Sequence, residues 1–384
     1  MKTYDFDSTP DRSKTGSLKW QRYEGRDMLP LWVADMDFCS APEILDALKA
    51  RVAHGNFGYT VPYDEVQEEV VAYLKRCHGL EVEKDWIVWL PGLVQGLNLV
   101  CRAAGKPGDA VMVNAPVYPP FLSAPVYSDM ERQAVPLHWD GDRYTFDFAA
   151  MEAAVTENTK LFILCNPHNP VGRVFSKEEL EKLVDFCEAH DLWLCSDEIH
   201  CDLILDQGVD HVSTLALGAR AAKCTVAFFS ASKTYNLPGL ACAYAVIPNS
   251  KLRRAFQRVC RGVITEVNCF GYVGTTAAYR HGEAWRQQLL TYLRGNRDLL
   301  YATMENLHPG VRLRPMESTY LAWMDFRELG LDAPFQYFEG YGVGLSNGVD
   351  FGAETGFLRL NFGCSRATLQ EGLKRIQGAI LAAK

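Results

Sequence analysis

The chain has 384 residues, 48% hydrophobic and 22% charged, which supplies material for a large core and argues against disorder. A formal charge of -8 excludes the broad basic footprint of a nucleic-acid binder but leaves room for a local basic pocket. None of the twelve cysteines forms a Cys-x-x-Cys pair, and most (Cys165, Cys195 and Cys242 among them) sit in apolar runs, as small buried hydrophobes of a reducing compartment do, rather than disulfides or zinc ligands.

The N-terminus, MKTYDFDSTPDRSKTG, is polar and carries no apolar leader. The longest apolar run, Leu240 to Ile247, is far too short to span a bilayer. A cytoplasmic protein is expected, with no membrane or nucleic-acid partner. A helix is predicted around Ile44. Pro91 and Gly92 then precede a helical pattern with Leu93, Leu97, Val100, Cys101 and Ala104 on one face. Its first turn, around Gly92, Leu93 and Val94, offers free N–H groups and the positive end of a dipole to an anion, although an ordinary helix start looks the same. The strand-like AVMVN follows and leads to Tyr118, whose ring can stack on a planar ligand or simply fill a core.

The middle of the chain reads as strand, helix, strand. Lys160 to Cys165 is a buried strand, and NPHNPVGR, with Asn169, is a turn. Ser176 and Glu179 form a capping-box pattern ahead of Leu180, Leu183, Val184 and Cys187 at helical spacing. Leu192 to Ser196 is a second strand, ending in Asp197 and Glu198, and Thr225 to Ser230 is a third, leading to Lys233. This alternation predicts an α/β fold with a mainly parallel sheet. Asn169, Asp197 and Lys233 then share the carboxyl edge, where such sheets bind ligands.

The last hundred residues differ. A long helix is predicted from about Glu283 to Leu307, with Trp285, Leu289, Leu293, Leu300 and Met304 on one face. Two strands, STYLAWMDF and GFLRLNF, and a final helix with Leu369, Leu373, Ile376 and Ile380 complete a smaller α+β domain. The N-terminal segment is assigned to it, giving a large domain of 46–279 and a small one of 1–45 and 280–384.

A lysine directly after a buried strand needs a reason to be there. Lys233 has one if its amine holds pyridoxal 5′-phosphate (PLP) as a Schiff base, since such a lysine sits in a closed site and loses its proton easily. Asp197 can then keep the cofactor's ring nitrogen protonated, Asn169 can bond its ring oxygen, and Ser230 and Ser232 can bond its phosphate. Arg359 lies in an otherwise apolar strand and needs an anion, such as a substrate carboxylate. Each residue also has a plainer reading: surface lysine, helix cap, turn or structural ion pair. GVGLSNG opens no clear helix and makes no dinucleotide motif. His200, Cys201 and Asp202 cluster in DEIHCD without a second ligand group, so no metal site is expected.

In this order, APVYPPF, NPHNPVGR, SDEIH, SASKTYN and FLRLNFG resemble the stacking, ring-oxygen, ring-nitrogen, Schiff-base and carboxylate motifs of the fold-type I PLP enzymes, the aspartate aminotransferase superfamily. DRSKTGSLKW, LPLWVADMDF, HGNFGYT, SDEIHCDL, SKTYNLPGL and STYLAW are similar to the narrower group of MalY/PatB-type cystathionine β-lyases. The resemblance implies a seven-stranded sheet flanked by helices. It gives roles to Tyr118, Asn169, Asp197, Lys233 and Arg359, and it implies a homodimer whose Tyr59 reaches the other subunit's phosphate. His200 stands where the aspartate aminotransferases have a tyrosine, and their phosphate-binding arginine after the lysine is absent; both departures are shared with the lyases.

The resemblance thus implies β-elimination from a cysteine S-conjugate such as cystathionine, yielding pyruvate, ammonia and a thiol. An aminotransferase would use the same residues. A non-catalytic, effector-binding module is the third reading; such modules usually carry a DNA-binding extension, and none is expected here. Tyr320, Trp32 and Asp35 are candidates for substrate choice.

Overall fold

A computed structural model describes residues 2–305 and 307–383. Seven strands form the central sheet: β1 (Ile87–Leu90), β2 (Ala110–Ala115), β3 (Glu131–Pro136), β4 (Thr159–Cys165), β5 (Trp193–Asp197), β6 (Thr225–Phe229) and β7 (Ala243–Val246). Their order is β1-β7-β6-β5-β4-β2-β3. Strands β2 to β6 pair in parallel, whereas β7 runs antiparallel to β6 and β1. The sheet is therefore mainly parallel, as expected, with one reversed strand. An apolar run such as LACAYAVI carries no directional signal, so the reversal was not legible in it.

Side chains alternate across β4 with the strand period of two. Leu161, Ile163 and Cys165 join the core under the helices Leu93–Ala104 and Ser250–Cys260. Phe162 and Leu164 point to the opposite core, beneath Leu180, Leu183, Val184 and Cys187 of the helix Lys177–Ala189. The predicted capping box closes that helix: Glu179 N donates to Ser176 Oγ at 3.3 Å, and Ser176 N donates to Glu179 Oε2 at 2.7 Å. Such a cap is worth about 1 kcal/mol.

Four more strands, β8 (Arg312–Leu313), β9 (Leu321–Asp325), β10 (Ser346–Asn347) and β11 (Phe357–Asn361), form an antiparallel sheet in the order β8-β9-β11-β10. The long helix runs Glu283–Met304 and the last one Arg366–Ala382. Trp285, Leu289, Leu293 and Leu300 are buried on the first, and each such side chain contributes about 1.5–3 kcal/mol. Leu29–Pro30 pairs in parallel with Val343–Gly344, and Phe6 packs on Trp285 and Tyr292. Among the described residues no helix is long and apolar enough to cross a membrane.

Candidate active site

The carboxyl ends of β4, β5 and β6 do share one edge. The turns beyond them bring Asn169, Asp197, His200, Ser230, Ser232 and Lys233 into a single cavity. Because β7 runs backwards, its first residue, Ala243, reaches the same rim. Gly92, Leu93 and Val94, at the start of the helix Leu93–Ala104, line the cavity with Tyr118. That helix has no side-chain cap, so its first-turn N–H groups face an anion-sized need.

Lys233 is part-buried, and its Nζ donates to the Ala34 carbonyl at 2.7 Å. Removal from water is the main reason its pKa falls to about 8; Arg359 adds to the fall, while Asp35 and Asp197 oppose it. Burial likewise pushes the Asp197 carboxyl up to about 7, with one bond from Ile199 N at 3.2 Å working the other way. His200 is buried and pushed down to about 3, first by burial and then by the charges of Lys233 and Arg359. It is a neutral imidazole whose Nδ1 has no hydrogen-bond partner.

Arg359, on β11, is buried and reaches in from the second sheet. One Nη donates to Asn169 Oδ1 at 2.8 Å, and the other to the Trp32 carbonyl at 2.7 Å and Ser346 Oγ at 3.2 Å. Its Nε has no partner, and among the described residues no carboxylate lies within 4.0 Å of it. Burial pulls its pKa down to about 10. A buried guanidinium without a counter-ion is a site waiting for an anion.

These needs fit PLP together with an amino acid. Asp197 needs a cation, such as a protonated ring nitrogen. The unpartnered His200 nitrogen and the Asn169 amide can serve a ring oxygen. The uncapped helix and the hydroxyls of Ser230 and Ser232, 2.9 Å apart, suit a phosphate. Arg359 suits a carboxylate. Tyr118, partly buried at the cavity wall, has a ring available for stacking. Tyr59 does not line this cavity: it is fully exposed, in the irregular segment 55–63.

Sequence reasoning named Trp32 and Asp35, neither of which lines the cavity, and missed their neighbour Ala34, which does, together with the way this N-terminal segment is held. Residues 32–38 are strapped in place through their backbone. Asn236 bonds Met36 and Phe38, Asn361 bonds Val33 and Asp35, and Tyr320 Oη donates to Ala34 O at 3.0 Å. Tyr320 and Trp32 thus act on the wall and on Arg359. Asp35 sits beside them, its Oδ2 paired with Arg12 at 2.5 Å and its Oδ1 without a hydrogen-bond partner, 4.0 Å from Lys19 Nζ. The cues were the paired Asn236 and Asn361 beside the lysine and arginine motifs.

The DEIHCD cluster separates. His200 faces the cavity, while Cys201 and Asp202 line a different one with His78, from the end of the helix Asp64–His78. The expectation that no second ligand group accompanies them is corrected: His78 arrives from 124 residues away in sequence.

Comparison with known proteins places the chain closely. A family model for aminotransferase class I and II matches residues 26–376. The chain is 37% identical to cystathionine beta-lyase PatB of Bacillus subtilis, covering 98% of this chain and 100% of that one. The crystal structure of OvoB superposes with a TM-score of 0.96 at 40% identity, covering 99% and 100%. Cystalysin from Treponema denticola, which contains a pyridoxal 5′-phosphate cofactor, gives 0.95 at 31% identity, covering 100% of both chains.

Proposed function

We propose, from the premise that this chain belongs to the aminotransferase class I and II family, that it is a PLP-dependent carbon–sulfur lyase. Its reaction is β-elimination of cystathionine or a related cysteine S-conjugate. The observation that carries this reading is one cavity lined by a lysine with a lowered pKa and a buried carboxyl, with a guanidinium that has no counter-ion bonded to the lining residue Asn169. The likeness to PatB supports elimination over amino transfer.

Bound PLP supplies an electron sink for the pair left when the α-proton departs. Lys233 would hold it, Asp197 would face its ring nitrogen, and Asn169 and His200 its ring oxygen. Tyr118 would cover its face. Gly92, Leu93, Val94, Ser230 and Ser232 would hold the phosphate. Arg359 grips the substrate's α-carboxylate and fixes the α-hydrogen toward Lys233. The substrate's amine would take Lys233's place on the cofactor, and the Lys233 amine so freed, in a setting that lowers its pKa, takes that proton. The Cβ–S bond then breaks with its electrons on sulfur, and Lys233 returns a proton to the leaving thiolate. The aminoacrylate that departs hydrolyses to pyruvate and ammonia.

The enzyme works as a cytoplasmic homodimer in this reading. All twelve cysteines are free, which suits a reducing compartment. Full exposure of Tyr59 suits a residue that reaches a second copy's phosphate. The division into 46–279 and 1–45 with 280–384 belongs to the same reading; the pairing of Leu29–Pro30 with Val343–Gly344 supports it.

The deciding experiment gives cystathionine to the PLP-loaded protein with no keto acid present. Catalytic pyruvate, ammonia and homocysteine, lost in Lys233→Ala, are expected. Amino transfer without pyruvate, once a keto acid is added, would replace the reading with an aminotransferase.

A further inference from the structure

Beyond the turn that carries His200 lies a second polar cavity, lined by His78, Cys201, Asp202 and His211 and rimmed by Arg76 and Arg286. His78 Nε2 lies 3.1 Å from Asp202 Oδ1 and 3.6 Å from Cys201 Sγ. One donor atom from each of the three lies within 4.8 Å of the others. Bond lengths of about 2.0–2.3 Å in a tetrahedral zinc site put neighbouring ligand atoms roughly 3.3–3.8 Å apart. The three side chains are therefore close to a zinc-ligand arrangement before any ion arrives.

A second observation points the same way. His211 is buried, and its Nε2 lies 3.0 Å from Glu198 Oε2, while its Nδ1 has no partner. An imidazole held by a carboxylate on one nitrogen and free on the other is how ligating histidines are oriented. Its ring centroid is 5.9 Å from that of His78. Asp202, Asp210 and Glu283 at this cavity outnumber Arg76 and Arg286, and Glu283 is itself bonded to Arg286.

We propose that His78, Cys201 and Asp202 form a binding site for Zn²⁺ or a chemically similar divalent transition metal, with His211 a further donor at the same cavity. On binding, the Cys201 thiol gives its proton to solvent, as does His78 where it is protonated, and no oxidation state changes. The site adjoins the active site through two peptide links: Cys201 follows His200, and Thr234, whose Oγ1 donates to Asp202 Oδ2 at 3.2 Å, follows Lys233.

The test is a Co²⁺ titration of the PLP-loaded, chelator-treated protein without substrate, followed by displacement with Zn²⁺. Thiolate-to-cobalt absorption saturating near about one equivalent per chain is expected, and Zn²⁺ should abolish it. Cys201→Ser should remove the absorption and Cys77→Ser, at the exposed neighbouring thiol, should keep it. His78→Ala should weaken Zn²⁺ binding by more than about 100-fold. Absence of thiolate absorption in the wild-type protein overturns the proposal without recourse to any variant. So does absorption that survives Cys201→Ser or disappears with Cys77→Ser.

Discussion

His200 and His78 occupy two sides of one turn, both with little access to water, and their surroundings drive them apart. Burial works against charge on each. At His200 the neighbours Lys233 and Arg359 are cations, so its pKa falls to about 3. At His78 the hydrogen bond and charge of Asp202, with the charge of Glu198, outweigh burial and raise it. Asp202 answers in kind: burial opposes its charge, but His78 and Arg286 hold it well below the usual carboxylate range. Equal burial therefore says little about a histidine's charge. The sign of what it faces decides, and here it separates a cavity that recruits anions from one that suits a cation.

The sharpest way to break the contrast is to remove the cation that faces His200. Lys233→Ala should lower pyruvate formation by about 10⁴-fold or more, read by a coupled assay. Asp197→Ala should cost roughly 10²–10³-fold in kcat, because no carboxylate then holds the ring-nitrogen proton. Arg359→Ala should lower kcat/KM by about 10–100-fold, mainly through KM, as expected for lost charged hydrogen bonds to a ground-state carboxylate.

Titration of stability sharpens the contrast without touching the chemistry. His200 has a folded pKa of about 3 against an unfolded value near about 6.5. Between these values the unfolded chain binds the extra proton, so stability falls with falling pH, at a limiting slope of about 1.4 kcal/mol per unit. His200→Gln should flatten that limb in chemical-denaturation profiles. His78 has the opposite sign. Its raised pKa gives stability that is fully present below about pH 6.5 and lost as pH rises through the folded value. The Asp202 contribution is present above about pH 3.9 and lost as pH falls through its depressed value. His78→Gln should thus destabilise most between about pH 4 and 6.5, while kcat stays within a few-fold. The smallest effect is expected at Tyr59, where Phe should weaken PLP binding about 3–10-fold, the worth of one hydrogen bond.

Legibility in the sequence followed the range of the interactions. Asn169, Asp197 and Lys233 were readable because each ends an apolar strand, and parallel strands must present those ends together. Arg359 was readable because a charge in FLRLNF contradicts its surroundings. Trp32 and Asp35 were singled out, but the strapping of residues 32–38 was not, since Asn236 and Asn361 hold them through backbone bonds that leave no periodicity. Nor was the His78–Asp202 pair, made only when the end of the helix Asp64–His78 meets the turn beyond β5. What local pattern encodes was visible; what tertiary docking creates was not.

The Ala34 carbonyl accepts two donors, Lys233 Nζ and Tyr320 Oη. In the proposed function the lysine amine is also the cofactor's attachment point, so the wall and the cofactor compete for one nitrogen. Competition of this kind is reciprocal in free energy. Whatever tightens the hold of residue 34 on that amine weakens cofactor capture by the same factor, and capture in turn loosens the wall.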